Sequence, residues 1–160
     1  MIKGVKVKKL VVHQDVVLEG EKIDQPGFLM EVLRNDDGLI EKLGQTVFTL
    51  AYPGTIKAFH WHKDQADVWF FASGKAQVVL YDLREDSSTY QKTDVFYLGE
   101  DNPCLLFIPP KVAHGYQVLS DRPAMLFYHT DQLYNPENPD EERISFDDPK
   151  IGFDWTVKKK

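Results

Sequence analysis

The residues best placed to do chemistry in this 160-residue sequence are two histidines separated by one tryptophan, His60-Trp61-His62. They fall in a stretch, Ile56 to His62, that reads as a β-strand. Side chains alternate across a strand, so the two imidazoles share one face, and Phe59 and Trp61 share the other. Asp67 opens the next strand signal, and a hairpin returns it beside the histidines. A third imidazole, His114, follows the turn at Pro109-Pro110. Two imidazoles, a carboxylate and a distant third imidazole are a common ligand set for a divalent transition metal such as Zn, Fe, Mn or Ni. The same groups also read as hydrogen-bonded strand residues with no ion between them, so the spacing leaves metal binding open. Trp69 and Phe71 share parity with Asp67, and Tyr116 with His114, so these aromatics line the same face. Packing is the stronger reading for them than stacking on a ligand. His13 stands alone and reads as structural.

The elements that must carry these groups are mostly short strands. Lys6 to His13 and Phe28 to Leu33 read as strands. Asp36-Asp37-Gly38 offers a helix start, with one or two turns over Leu39 to Leu43 and a stop at Gly44. From there the strand signals crowd together: Thr46 to Ala51, Ile56 to His62, Asp67 to Ala72, Ala76 to Leu83, Asp94 to Leu98, Cys104 to Ile108, His114 to Leu119 and Ala124 to Thr130. Turn residues punctuate them at Tyr52-Pro53-Gly54, Ser73-Gly74-Lys75 and Gly99 to Pro103. Cys104 to Ile108 is apolar throughout, as expected of a strand buried on both faces. Many short strands at this spacing predict an all-β sandwich or barrel. Beyond Asp131 the chain turns polar and carries Pro136, Pro139 and Pro149, which predicts a wrapping tail.

Length and composition narrow the function classes. One domain is expected over 1–160, with N-terminal strands and a short helix over 1–50, a barrel core over 51–131 and the tail over 132–160. An apolar content of 42% is enough for a core, and a net charge of -6 argues against a phosphate-backbone partner. Lys158-Lys159-Lys160 is too short a basic run to act as a nucleic-acid or membrane patch. No stretch approaches the ~20 apolar residues of a membrane span, and Met1-Ile2-Lys3-Gly4 lacks the apolar run of a signal peptide. The single cysteine, Cys104, rules out an intrachain disulfide and fits a reducing, cytoplasmic location.

With these residues in place the chain resembles the cupin superfamily of double-stranded β-helix (jelly-roll) barrels. Gly54, His60-Trp61-His62, Asp67 and Gly74 are similar to its first motif, with Asp67 where glutamate is usual. Pro109 to His114 is similar to its second, with Lys111 where glycine is usual. A narrower resemblance, to the dTDP-4-dehydrorhamnose 3,5-epimerases, rests on Gly27 to Glu31, Lys57-Ala58-Phe59-His60, Asp82 to Ser87, Ile108-Pro109, Ala113 to Tyr116, Thr130-Asp131, and Asp148-Pro149 with Gly152 to Trp155. That family implies a dimeric enzyme that inverts carbons beside the ketone of a nucleotide-linked 4-keto-6-deoxy sugar in deoxysugar or surface polysaccharide synthesis. A base removes a proton, an enolate forms, and an acid returns a proton to the other face; histidine suits the base, with an ordinary pKa of ~6.5.

The resemblance places His60 at the base and His114 at a second active-site histidine. It places Glu31 at a substrate contact and Lys57 at a phosphate contact, where the family has arginine. Trp69 and Tyr116 are substrate-side candidates. Three family positions are changed. Asp67 stands where a lysine stabilises the enolate, and Phe127 stands where a tyrosine is the acid. The aspartate that pairs with the base falls beyond Lys160. A metal on His60, His62, Asp67 and His114 would replace the lysine as Lewis acid. His129, sharing parity with Phe127, is then a candidate for proton transfer. A metal-dependent cupin of other chemistry (dioxygenase or isomerase) and a non-catalytic sugar-binding cupin are the alternatives.

Overall fold

Strands this short bury their apolar faces only by pairing and stacking. The computed structural model describes residues 1–14 and 27–156, and its architecture is two antiparallel five-stranded sheets laid face to face. The strands are β1 (Lys6–Lys9), β2 (His13–Gln14), β3 (Phe28–Leu29), β4 (Gln45–Ala51), β5 (Ile56–Trp61), β6 (Asp67–Ser73), β7 (Lys75–Asp82), β8 (Thr93–Gly99), β9 (Cys104–Ile108), β10 (Val112–Val118), β11 (Ala124–Thr130) and β12 (Glu142–Arg143). One sheet runs β1-β9-β6-β11-β4 and the other β12-β5-β10-β7-β8, while β2 and β3 form a separate ribbon. From β4 to β12 consecutive strands alternate between the two sheets, apart from the β7–β8 hairpin, which makes the jelly-roll barrel expected of the sequence.

Alternation divides the apolar residues into three layers. Between the sheets lie Trp69, Phe71, Val78, Leu80, Leu106, Tyr116 and Leu126. Val68, Phe70 and Leu105 face outward from the first sheet beneath Leu10, Leu39 and Ile40. Phe59, Val79, Tyr81 and Ala113 face outward from the second sheet beneath Trp155. The β9 run is therefore buried on both faces, as its unbroken apolar sequence implies.

The N-terminal expectations need correction. The strand expected over Lys6 to His13 is two pieces, β1 pairing with β9 and β2 pairing with β3, and the strand expected to reach Leu33 stops at Leu29. No helix forms over Leu39 to Leu43. The only helical turn among the described residues is a 3-10 turn at Asn35–Asp37. There the Asp37 carboxylate accepts the Arg34 N–H at 2.9 Å, and Gly38, with φ of +61°, ends the turn. Leu39 and Ile40 instead pack on the first sheet, where burial outweighs a weak local propensity. The tail does wrap. β12 pairs with β5, Phe59 and Ile144 exchange backbone hydrogen bonds at 2.8 and 3.0 Å, and the Trp155 ring packs at a tilt on Phe59 with centroids 5.5 Å apart. Lys158 to Lys160 lie outside the described residues.

Two local features hold the second sheet in register. Gly115 sits on β10 where a Cβ would lie 2.6 Å from Ala58 Cα, so only glycine lets β5 approach. Asp82, fully buried at the end of β7, accepts hydrogen bonds from Arg84 Nε (2.7 Å), Ser87 Oγ (2.8 Å) and Thr89 Oγ1 (2.6 Å). Burial alone would raise the Asp82 carboxyl. The guanidinium and the two hydroxyls outweigh it and hold the group far below the carboxylate range. Such a carboxylate stabilises the fold fully above its unfolded pKa of about 4, and that contribution is lost as pH falls below it. Thermal melts should show Asp82→Asn destabilised by about 3 kcal/mol at neutral pH, with the gap to the parent narrowing on acidification. Gly115→Ala should cost about 1–3 kcal/mol by overpacking β5 against β10.

Candidate active site

The inner faces of the sheets leave a cavity of about 410 Å³. The second sheet contributes Lys57 and His60 from β5, and His114 and Tyr116 from β10. The first contributes Asp67 and Trp69 from β6, and Leu126 and Tyr128 from β11. Tail residues between Gln132 and Arg143 complete its wall. The alternation argument thus holds for the His-Trp-His segment. His60 and His62 line the cavity, while Phe59 and Trp61 pack on the outer side.

Within the cavity the histidines divide into two sets. His62, Asp67 and His114 converge, with one ligand atom from each lying within 4.8 Å of the others. All three are almost wholly buried, at 9%, 3% and 3% exposure. His114 Nδ1 donates to the Val112 carbonyl at 2.9 Å, and His62 Nδ1 donates to the Asp140 carbonyl. Both imidazoles are thereby set in the tautomer with the lone pair on Nε2, the arrangement in which histidine binds metal, and the His62 lone pair faces the Gln65 amide nitrogen at 3.3 Å. Burial pushes the His114 imidazole well below its ordinary range, which keeps it neutral, although the Asp67 carboxylate 3.8 Å from Nε2 pulls the other way. Asp67 in turn accepts from Gln65 Nε2 (2.8 Å) and Trp69 Nε1 (3.0 Å). This donor set fits a divalent cation.

His60 does not belong to that cluster, contrary to the four-ligand set expected from the sequence. Its Nδ1 is engaged 2.9 Å from Glu141 Oε1, leaving Nε2 as its free nitrogen. Burial pushes the Glu141 carboxyl up, but the hydrogen bonds from His60 and Arg143 outweigh it and hold Glu141 ionised below the usual range. The carboxylate partner expected to lie beyond the chain is thus supplied by the tail. The neighbouring residue grips the other histidine's loop. The Asp140 carboxylate accepts the N–H groups of Lys63 (2.7 Å), Asp64 (2.9 Å) and Gln65 (3.0 Å). Those bonds, with His62 nearby, overcome the effect of burial and keep Asp140 below the usual carboxylate range.

The β11 expectations are reversed by the observed register. Phe127 faces outward, its ring 5.0 Å from Phe48, and Tyr128 lines the cavity. A shift in the β11–β6 pairing between Met125 and Leu126 goes with this phase. The resemblance set Phe127 at the acid position and gave His129 the same inward parity; the strand presents Tyr128 to the cavity instead. His129 follows Phe127 outward, bonds Thr46 Oγ1 at 2.9 Å, and is not among the cavity residues, so it is no proton-transfer group. Burial, helped by the Asp67 and Glu141 carboxylates, raises the Tyr128 phenol and keeps it protonated. Burial likewise pushes Tyr116 up to about 12.

Lys57 reaches the cavity with Nζ on Thr49 Oγ1 at 2.9 Å. Glu31 does not reach this chain's cavity. It is half exposed beside the β2–β3 ribbon, paired with His13 at 3.1 Å. Lys111, where glycine was expected, adopts the left-handed conformation itself (φ of +60°) and donates its N–H to the His62 carbonyl at 2.7 Å, tying the two motifs together. Sequence reasoning missed Tyr128, Asp140 and Glu141. No local signal distinguishes the inward from the outward side of β11, or Asp140 and Glu141 from the other acidic tail residues.

Comparison with known proteins gives a consistent result. The family model for dTDP-4-dehydrorhamnose 3,5-epimerase matches residues 7–160. The chain is 54% identical over 158 residues to the spore coat polysaccharide biosynthesis protein SpsL of Bacillus subtilis (strain 168), covering 99% of each chain. It is 38% identical over 137 residues to the probable low-salt glycan biosynthesis epimerase Agl13 of Haloferax volcanii, covering 84% of this chain and 88% of the relative. Among solved structures, a dTDP sugar isomerase from Desulfovibrio desulfuricans superposes with a TM-score of 0.83 at 30% identity, over 96% of this chain and 92% of that one. A cavity between two jelly-roll sheets, with a histidine–carboxylate pair on one wall and a tyrosine on the other, accompanies that similarity, and the chain belongs to the dTDP-4-dehydrorhamnose 3,5-epimerase family.

Proposed function

We propose that this protein epimerises a nucleotide-linked 4-keto-6-deoxy sugar by proton transfer beside the ketone, in surface polysaccharide biosynthesis. The observation that carries this reading is the pair of groups on opposing sheets: His60 held by Glu141 on β5, and Tyr128 on β11. Inversion needs a proton taken from one face of a carbon and returned to the other. Two walls of one cavity supply those two directions.

With Nδ1–H donated to Glu141, His60 presents Nε2 as the base, and the carboxylate stabilises the imidazolium that forms. Tyr128, kept protonated by burial, is the acid. The negative charge that develops on the ketone oxygen meets the buried polar set His62, Asp67 and His114; a divalent ion there would supply Lewis-acid stabilisation. Lys57, free of any carboxylate partner among the described residues, offers a cation to the diphosphate, and Trp69 and Tyr116 flank the sugar. The relatives' roles in spore coat polysaccharide and glycan biosynthesis support the pathway assignment. The buried free thiol of Cys104 supports a reducing, cytoplasmic setting, and among the described residues no helix is long and apolar enough to cross a membrane.

We also infer that the protein acts as a homodimer, the whole chain forming one domain. Within the first sheet β4 is an edge strand, and Phe48 on it is 51% exposed beside Phe127. Phe28 and Leu29 on the β2–β3 ribbon are 61% and 60% exposed. An open edge flanked by apolar side chains is suited to pairing with a second copy.

Exchange of solvent deuterium into a dTDP-4-keto-6-deoxy sugar, followed by NMR, tests the reading. His60→Asn should abolish exchange. Tyr128→Phe should lower epimer formation by ~10²–10⁴-fold while exchange through His60 persists. Glu141→Gln should lower kcat about 10- to 100-fold with KM little changed, whereas His129→Ala should leave turnover within about twofold of the parent. Equal losses for His129→Ala and Tyr128→Phe would contradict the assignment. Light scattering should report a dimer for the parent chain and a monomer for Phe48→Lys.

A further inference from the structure

We propose that the outer face of the second sheet carries a further binding site, a cleft between the β7–β8 edge and the C-terminal tail that takes a neutral saccharide free of phosphate. The site does not depend on the proton-transfer reading, because the second sheet stands between it and the catalytic cavity. Val78 and Leu80 of β7 face the barrel interior, while Val79 and Tyr81 face the outer side, where Tyr81 lines the cleft.

The cleft encloses about 650 Å³, against about 410 Å³ between the sheets. That lies within the ~300–1,000 Å³ of small-molecule sites. A pyranose offers an apolar ring face and a rim of hydroxyls that both donate and accept. Leu83, Ile144 and Ile151 supply apolar surface, and Tyr81 and Tyr90 add two phenols. Gln91 and Thr93 each combine a donor and an acceptor in one side chain. Charge narrows the ligand further. Glu85 and Asp148 outnumber Lys150, so the lining is net negative and repels a phosphate or diphosphate. A simple cation would leave the hydroxyls and the apolar surface unused and would meet Lys150.

Two observations distinguish the cleft from an ordinary surface depression. Tyr81 is 6% exposed, and its hydroxyl makes one hydrogen bond, a long one of 3.4 Å to the Lys150 carbonyl. A buried phenol so weakly partnered gains from a better acceptor. Burial raises this phenol, helped by Tyr90 and Asp148, and keeps its proton available for donation. Gln91 is a non-glycine residue in the left-handed region, with φ of +61° and its backbone N–H on the Asp82 carbonyl at 2.9 Å. Residues with a Cβ disfavour that conformation, yet it is a glutamine that lines the cleft here. Among the described residues no protein group hydrogen-bonds the side chains of Glu85, Tyr90, Gln91 or Thr93, which leaves the rim to a ligand.

Both walls are fastened in advance. The buried Asp82 carboxylate holds Arg84, Ser87 and Thr89 on one side. On the other, Asp148 closes its turn by accepting the N–H of Lys150 at Oδ1 and of Gly152 at its carbonyl, each at 2.8 Å. Pre-formed walls lower the ordering cost of binding. The same face continues along β8, where Val95 and Tyr97 share parity with Thr93 and are 39% and 52% exposed. β8 is an edge strand, so a saccharide chain longer than the cleft runs out over an open face.

The test is an amide NMR titration of the full-length protein with the neutral probes maltotriose, rhamnotriose and galactotriose, and with dTDP as the anionic control. At least one neutral probe should give saturable shifts at Tyr81, Gln91, Thr93 and Ile151, and dTDP should leave those amides unmoved. Tyr90→Ala and Gln91→Gly remove one ring and one amide, and each should weaken that probe about 3- to 10-fold. Tyr90 and Gln91 are exposed, and glycine relieves the left-handed backbone at 91, so both variants should melt like the parent. Both should turn over a dTDP-4-keto-6-deoxy sugar within about twofold of the parent, and His60→Asn should bind the probe as the parent does. No saturable shift with any neutral probe overturns the site. So do shifts confined to the catalytic cavity, or binding of dTDP at the cleft as strong as that of the saccharide. Saccharide binding without sugar-nucleotide turnover keeps the site and removes the epimerase; turnover without saccharide binding removes the site alone.

Discussion

Two consecutive residues of the C-terminal tail, Asp140 and Glu141, accept hydrogen bonds from Nδ1 of the two histidines on either side of Trp61. One does it with a backbone carbonyl, the other with a carboxylate. The difference decides what each imidazole can do. A backbone carbonyl fixes the His62 tautomer, with Nδ1–H on that carbonyl and the lone pair on Nε2. An ionised carboxylate stands 2.9 Å from His60 Nδ1, where it would pair with an imidazolium. Two chemically identical side chains, two residues apart, are thereby given different partners.

The tail can impose this because it is fastened on both sides of that contact. Upstream, the Asp140 carboxylate collects three N–H groups of the 63–65 turn. Downstream, β12 pairs with β5, Ile144 pairs with Phe59, and Trp155 packs on the outer face of the second sheet with its indole N–H on the Phe146 carbonyl at 2.9 Å. The contacts are spread along β5, the strand that carries His60, so tail docking and histidine orientation are one event. β5 itself is held close to β10 by Gly115, which brings His60 opposite His114 in the ladder.

Asp67 shows how substitution at one position changes the demands on its neighbours. A carboxylate does not stabilise an oxyanion, so a site with Asp67 needs a positive centre elsewhere. Its surroundings suit such a centre. Burial holds His114 neutral, and donors from Gln65 and Trp69 fix the carboxylate. Lys57 sits further along β5, with Thr49 and Leu50 as its partners. Its amine is engaged by those oxygens and not by the Asp67 carboxylate.

Much was legible in the sequence because it depends on short-range rules. Alternation alone put His60 and His62 on one face, made β9 a doubly buried strand, and located eight of the strands within a residue or two. The helix expected at Leu39 to Leu43 failed because Asp37 closes its turn one step earlier and the following leucine and isoleucine are worth more against the sheet. The inward side of β11 was ambiguous because Met125, Phe127 and His129 are as strand-like as Leu126, Tyr128 and Thr130. Only the ladder to β6, with its shift at Met125, chooses between them. Glu141 and Asp140 lay 81 and 78 residues from their histidines, in a polar tail with no periodicity. Residue types and spacing determined which groups could enter one cavity. Which histidine would face a carboxylate and which a backbone carbonyl depended on contacts closed only when distant segments packed, and such contacts leave no trace in local sequence.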